Sequence, residues 1–157
     1  MVMFVGIDPG AKGSLCALDP NTKSITFLST LQTPHLIYDW LNALSPIRML
    51  AIEEVHSIYG TSAGSNFKFG FNVGMLHGIV GATRIGMDTV QPKIWQKQTG
   101  VQFRPKMTMA QKKKTVAAKA IQLYPDAELY GPKGGLLDGR ADALMIAHFL
   151  TIKYGGN

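Results

Sequence analysis

The stretch Asp138-Gly139-Arg140-Ala141-Asp142-Ala143-Leu144-Met145-Ile146-Ala147 sets the tightest condition on how this chain folds. It is rich in helix formers, and Asp138 and Asp142 stand four residues apart, so a helix across it projects both carboxylates from one face, one turn apart. Leu136, Leu137, Leu144, Ile146, Phe149 and Leu150 make the rest of that helix, about 137–153, apolar and core-seeking. Two acids on the inner side of a buried helix repel each other and lose hydration, which a fold tolerates mainly where cations compensate. The stretch therefore reads as half of a metal site whose remaining ligands lie elsewhere.

A chain of 157 residues, 46% of them hydrophobic, holds one domain with a proper core, taken as 1–157. No apolar run approaches the roughly 18 residues of a membrane span, and the first residues lack a signal-peptide pattern. Cys16 is the single cysteine, so no internal disulfide forms. A cytoplasmic protein with no membrane partner is expected. The formal charge of +6 points to a polyanionic partner, and its distribution is more informative than its total. No acid falls between Asp88 and Asp126, whereas Lys93, Lys97, Arg104, Lys106, Lys112, Lys113, Lys114 and Lys119 all do. Carboxylates in apolar surroundings and a separate acid-free basic stretch suit a metal-dependent enzyme acting on nucleic acid.

Residues 2–7 form a short apolar run ending in Asp8-Pro9-Gly10, which reads as a buried strand with an acid at its C-terminal edge and a turn after it. Segments 13–18 and 24–29 look like an antiparallel meander beside it. Residues 33–44 have helical spacing, with Thr33 as the cap and Pro34 at the first helical position. Residues 49–55 read as a second buried strand carrying Glu53 and Glu54, and alternation puts Glu53 with Ala51 and Val55 on one face, Glu54 with Ile52 on the other. Pattern alone leaves the choice between them open. A loop over 56–65, a helix over 66–84, a strand over 87–91, a helical turn over 92–98 and an amphipathic helix over 108–123 complete the order. This is an α/β arrangement, a mixed sheet with helices on its faces, and sites in such sheets form beyond the carboxyl ends of strands.

In the 66–84 helix, Gly70, Gly74, Gly78 and Ala82 recur every four residues. Glycine in a helix costs up to about 1 kcal/mol against alanine, so the stripe marks a surface where another backbone approaches. Packing on the domain's own sheet and a dimer contact are the two readings. Phe67, Phe69 and Phe71 read as core, and Trp95 as packing.

Gly6-Ile7-Asp8-Pro9-Gly10, Ala51-Ile52-Glu53-Glu54-Val55 and Asp138-Gly139-Arg140-Ala141-Asp142-Ala143-Leu144 together resemble the RuvC family of Holliday junction resolvases, endonucleases of the ribonuclease H-like superfamily. The resemblance runs in order over nearly the whole chain, and its compact form is similar to phage-type members. It implies a ribonuclease H-like fold with a five-stranded mixed sheet flanked by helices on both faces. Asp8 matches the family's first-strand carboxylate and Asp142 the Asp before Ala-Leu. Glu53 matches the glutamate of the Ile-Glu motif, in preference to Glu54. Asp138 matches the preceding acid, although in well-known bacterial members the last two acids are three apart and here they are four.

The expected chemistry is two-metal phosphodiester hydrolysis. Two Mg²⁺ ions per site, with Mn²⁺ as a substitute, would be held by Asp8, Glu53, Asp138 and Asp142; one activates water and the other stabilises the leaving 3′ oxygen. The ends would be 5′-phosphate and 3′-hydroxyl. No His or Cys cluster has zinc spacing, and no small-molecule cofactor is expected. Lys112, Lys113 and Lys114, at the start of a helix, are candidate phosphate contacts, supported by Lys106 and Lys119. The resemblance implies a side chain entering the junction centre from the loop after the glutamate strand, and His56 or Tyr59 has the position for it, a plain surface-loop residue being the alternative reading. His148 reads as structural, and His35 and His77 carry no signal. Cutting opposite strands of a two-fold junction requires a homodimer, with the 66–84 helix as its contact.

Three rivals stand beside this reading. Actin-like ATPases and sugar kinases need two such domains and a chain at least twice as long. A non-catalytic junction binder would have lost some of the acids. A ribonuclease H-like nuclease for flaps, other branched DNA or RNA–DNA hybrid would keep the same metal site.

Overall fold

The structure, a computed structural model, describes residues 2–44, 46–137 and 139–155. Strands β1 (Met3–Asp8), β2 (Ser14–Leu18) and β3 (Ile25–Ser29) are followed by helix α1 (Pro34–Ala43), strand β4 (Ile47–Glu53) and helix α2 (Ala63–Thr83). Strand β5 (Met87–Val90) and helices α3 (Pro92–Gln98), α4 (Met109–Leu123) and α5 (Arg140–Tyr154) complete the order. The five strands form one sheet in the order β3-β2-β1-β4-β5. The first three make an antiparallel meander, and β4 and β5 add in parallel on the other side of β1. This is the α/β architecture expected, with helices on both faces.

Alternation along β1 decides what each face holds. Met3, Val5 and Ile7 join Leu15, Ala17, Leu50 and Ile52 under α1 and α2, which contribute Ile37, Leu41, Leu76, Ile79 and Val80. Phe4, Cys16, Leu18 and Ala51 face the other way, onto Trp95 of α3, Val116, Ala117 and Ala120 of α4, and the buried length of α5. Eight residues of α5 are buried, among them Leu144, Met145, Ile146, Phe149 and Leu150. At about 1.5–3 kcal/mol for each large apolar side chain removed from water, α5 is a major source of cohesion. It lies directly on the central strand: a Cβ at Gly6 would run into the carbonyl oxygen of Ala143 and the amide nitrogen of Ala147.

Strand β4 carries an irregularity that decides which face its last residues share. Met3 pairs with Ile47, but Phe4 pairs with Met49, so Arg48 is an extra residue in β4. The pleat parity flips there: Ile47 packs on the α1/α2 side, whereas Met49 and Ala51 pack on the α5 side. As a result Glu53, in phase with Ala51, belongs to the α5 face, the face that Asp8 shares with Phe4 and Gly6.

Several expectations are corrected. Strand β4 runs 47–53 rather than 49–55, and α2 starts at Ala63, where the Ser62 hydroxyl accepts from the Ser65 amide. Thr33 makes no side-chain capping bond, whereas Thr108 and Gln111 form a reciprocal capping box on α4. Helix α5 opens at Arg140 rather than 137, because Gly139 adopts a left-handed conformation with φ of 80°. Phe67 and Phe71 are not core: they are 74% and 65% exposed. The glycine stripe does not pack on the sheet either, since Cβ atoms at Gly70, Gly74 and Gly78 would meet nothing within 4 Å. The reason is rotational, since α2 seats itself through Leu76, Ile79 and Val80 and turns the Phe and Gly face outward. Among the described residues no helix is long and apolar enough to cross a membrane.

Candidate metal and nucleic-acid site

Asp8 ends the central strand and Glu53 ends the parallel strand beside it, on the same face. The turn after β1 is built around Asp8, whose Oδ1 accepts the Gly10 amide at 2.9 Å. Helix α5 delivers its first turn to the same place. A Cβ on Gly139 would lie 2.8 Å from Asp8 Oδ2, from the Gly13 Cα and from the Lys12 carbonyl oxygen, so only glycine permits this approach. Asp142 follows three residues later in the first turn of α5. Asp8, Asp142, Gly139, Gly10, Lys12 and Lys113 all line one open cleft of about 270 Å³, with Leu136 and Leu137 also on its wall.

Glu53 is coupled to that cleft through charge. Burial, and then the negative charges of Asp8 and Asp142, push its carboxyl from 4.5 up to about 7, against the opposing effect of a hydrogen bond from Trp95. That bond, from the indole Nε1 to Glu53 Oε1, is 2.8 Å long. Glu54 is placed differently: its amide donates to the Val90 carbonyl oxygen at 2.8 Å, and its Oε1 is 3.5 Å from His56 Nε2. The structure therefore places Asp8 and Asp142 on one cleft, with Glu53 on the same face of the sheet and close enough for their charges to act on it. Asp138 lies outside the described residues.

This donor set suits a hard divalent cation in chemistry, being all carboxylate oxygen, and in charge, since the acids raise one another's energy. Among the described residues no group of three or more His, Cys, Asp or Glu side chains is placed to hold a metal ion.

The basic residues separate into different places. Lys113 faces the acidic cleft, opposite in sign to its neighbours there. Lys114 and Lys106 line a second, shallower concavity with Arg104, and Lys106 has φ of 63° in the turn before α4. Lys112 sits 5.6 Å above the Phe103 ring. Lys119 Nζ is 3.4 Å from Gln122 Oε1. His56 and Tyr59 project from the exposed segment before α2. The three consecutive lysines are thus not one patch, because successive helix positions point about 100° apart. His148 is structural, with its Nδ1 2.8 Å from the Tyr124 hydroxyl.

Sequence reasoning missed two residues of the cleft and its surroundings. Lys12 lines the acidic cleft and also the neighbouring groove with Ser14, Ser29 and Arg140; its position just past the Asp8 turn was the available signal. Trp95 packs as expected but also holds Glu53. A buried indole N–H needs an acceptor, and that requirement was the available signal.

An acidic cleft at the carboxyl edge of a β3-β2-β1-β4-β5 sheet, closed by a helix on the first strand, belongs to the ribonuclease H-like class of folds. Comparison with solved structures narrows this. The chain is similar to RuvC of Thermus thermophilus in complex with a Holliday junction, with a TM-score of 0.65 at 15% identity over 97% of this chain and 96% of that one. Thermus thermophilus RuvC in a second structure gives a TM-score of 0.61 at 17% identity, covering 96% of both chains. Fowlpox virus resolvase bound to Holliday junction DNA gives 0.57 at 14% identity, covering 96% of this chain and 98% of that one. The fold is therefore that of the RuvC-type resolvases over almost the full length. No protein-family model and no curated protein sequence matches the chain.

Proposed function

We propose that this protein is a divalent-metal-dependent endonuclease that cuts Holliday junctions and related branched DNA, leaving 5′-phosphate and 3′-hydroxyl ends. The observation that carries the reading is the meeting of Asp8 and Asp142 on one cleft edged by Lys12 and Lys113, with Glu53 on the same sheet face and within range of their charges. The fold shared with two resolvases that were solved on junction DNA supports the substrate class.

In this mechanism Asp8, Glu53 and Asp142 would hold Mg²⁺, or Mn²⁺ in its place, with Asp138 as the fourth ligand that the resemblance implies. Cations bound there would supply Lewis acidity, by which a water could act as nucleophile at neutral pH and the charge growing on the phosphate and the leaving 3′ oxygen would be offset. The Gly10 amide, donating to Oδ1, fixes the Asp8 carboxylate at the start of the turn. Lys113 and Lys12 bring positive charge to a strand whose phosphates would otherwise be repelled by the acids. Lys106 and Lys114, in the second concavity, take backbone phosphates farther along, and Lys112 and Lys119 add to the field. His56 or Tyr59, on the exposed segment, reaches the junction centre.

The protein acts as one domain, inside the cell, and as a homodimer. Phe67, Gly70, Phe71, Gly74 and Gly78 form an exposed apolar stripe on α2, which a second copy of the same helix would cover. The deciding experiment offers labelled four-way, three-way, flap and linear DNA and an RNA–DNA hybrid to the protein with Mg²⁺, alongside Asp8→Asn. Symmetric nicking of the four-way junction, absent with Asp8→Asn, is expected. Cleavage of the hybrid alone would move the substrate to the ribonuclease H type, and unimpaired cutting by Asp8→Asn would remove the site.

A further inference from the structure

Trp95 sits at the centre of α3, 1% exposed, and is the bulkiest of the fully buried side chains. Packing explains the ring but not the direction of its N–H. An indole has one donor and no acceptor, and leaving that donor buried and unpaired would destabilise the fold. Here it is aimed at Glu53 Oε1, across 42 residues of sequence. The platform behind it is fixed: Pro92 starts α3 directly after β5, and Trp95's own carbonyl oxygen accepts from both the amide and the hydroxyl of buried Thr99, at 2.9 and 2.8 Å. Glu53, by contrast, has a longer side chain than Asp8 or Asp142 and more rotamers to lose.

We propose that Trp95 is a positioning residue for Glu53: its indole N–H pins one carboxylate oxygen and leaves the other as the ligand oxygen for a divalent cation at the Asp8/Asp142 cleft. The role rests on the nuclease reading above. Phenylalanine would fill most of the same space and supply no donor. Loss of such an outer hydrogen bond typically weakens metal affinity by about 10- to 100-fold. Glu53 would then sample several rotamers, and the cation would have to select the competent one.

Two replacements separate the N–H from the packing: Trp95→Phe, and benzothienylalanine at position 95 alone, which keeps the bicyclic shape and puts sulfur where the N–H was. Mg²⁺ affinity is measured by calorimetry without DNA, kcat and KM on a four-way junction, and the indole signals of Trp40 and Trp95 by ¹⁵N NMR. Both replacements should lower Mg²⁺ affinity about tenfold and kcat by a similar factor, with KM for the junction within about twofold. In the parent, the Trp95 indole signal should move on adding Mg²⁺ and in Glu53→Gln, while that of Trp40 stays. A benzothienyl protein that matches the parent overturns the proposal, and so does a Trp95 signal indifferent to Mg²⁺. A parent that binds Mg²⁺ but cuts no nucleic acid overturns the nuclease reading, while the affinity comparison still decides the role of Trp95.

Discussion

Replacing Glu53 by glutamine should make the metal-free protein more stable, and by an amount that grows with pH. Burial first, and then the charges of Asp8 and Asp142, raise the Glu53 carboxyl from 4.5 to about 7 in the folded state. Below pH 4.5 the group is protonated both folded and unfolded, so it contributes no difference. Between 4.5 and 7 the folded state keeps a proton that the unfolded chain releases, so stability falls as pH rises, and above 7 the full penalty is present. At about 1.4 kcal/mol per pH unit the ceiling is about 3 kcal/mol, reduced somewhat because the carboxylate is partly exposed. Glutamine is never charged, and its carbonyl oxygen still accepts from Trp95. In EDTA the variant should therefore match the parent near pH 4.5 and exceed it by about 5–10 °C in Tm at pH 8, at roughly 2–4 °C per kcal/mol for a domain of this size. Mg²⁺ should narrow the gap by stabilising the parent alone. Thermal unfolding of both proteins in EDTA at pH 5, 6, 7 and 8 measures this, and a difference that stays flat or shrinks with pH refutes the reasoning.

Three other outcomes are expected. Gly6→Ala should destabilise the fold by about 3 kcal/mol or more, because α5 must back away from β1; urea unfolding checks it. Phe71→Glu should convert a dimer to a monomer in sedimentation while changing monomer stability by about 0.5 kcal/mol or less, since the ring is exposed. Lys113→Ala should weaken junction binding in Ca²⁺ and reduce the slope of log K against log salt by about 0.9, the share of one phosphate contact on duplex DNA.

The strands were legible because their chemistry is one-sided: Met3, Val5 and Ile7 alternate with Phe4 and Gly6 over a sheet buried on both faces, and Asp8 marks where the run stops. Helix α2 was not legible in rotation. It is apolar nearly all round, so Phe67 and Phe71 look as core-seeking as Leu76 and Ile79, and only packing against α1 and the sheet chooses between them. The left-handed turn at Gly139 was hidden for another reason. Asp-Gly-Arg reads as a helix start, and the condition that forces glycine there is the approach of Asp8 from 131 residues earlier in the chain. Trp95 was seen as bulk rather than as a donor, because its acceptor belongs to another strand.

Which of Glu53 and Glu54 faces α5 is the clearest case of a placement decided by a detail no local pattern contains. The two neighbours have the same chemistry, at and just past the end of β4, so a single residue of register exchanges their faces. The extra residue in β4 at Arg48 provides that shift, allowing Ile47 to stay with α1 and α2 while Met49, Ala51 and Glu53 turn toward α5. Without it, the strand that buries Ile47 on the same face would carry Glu54 to the α5 side and direct Glu53 away from Asp8. The acidic cluster thus depends on a bulge at the far end of the strand, where Arg48 is exposed. The fold sets these acids beside the contact of α5 on β1, where separating the elements cannot relax their repulsion. Protonation of Glu53 relieves it below about pH 7 and cation binding would relieve it above, which ties the two effects of pH and metal to one residue.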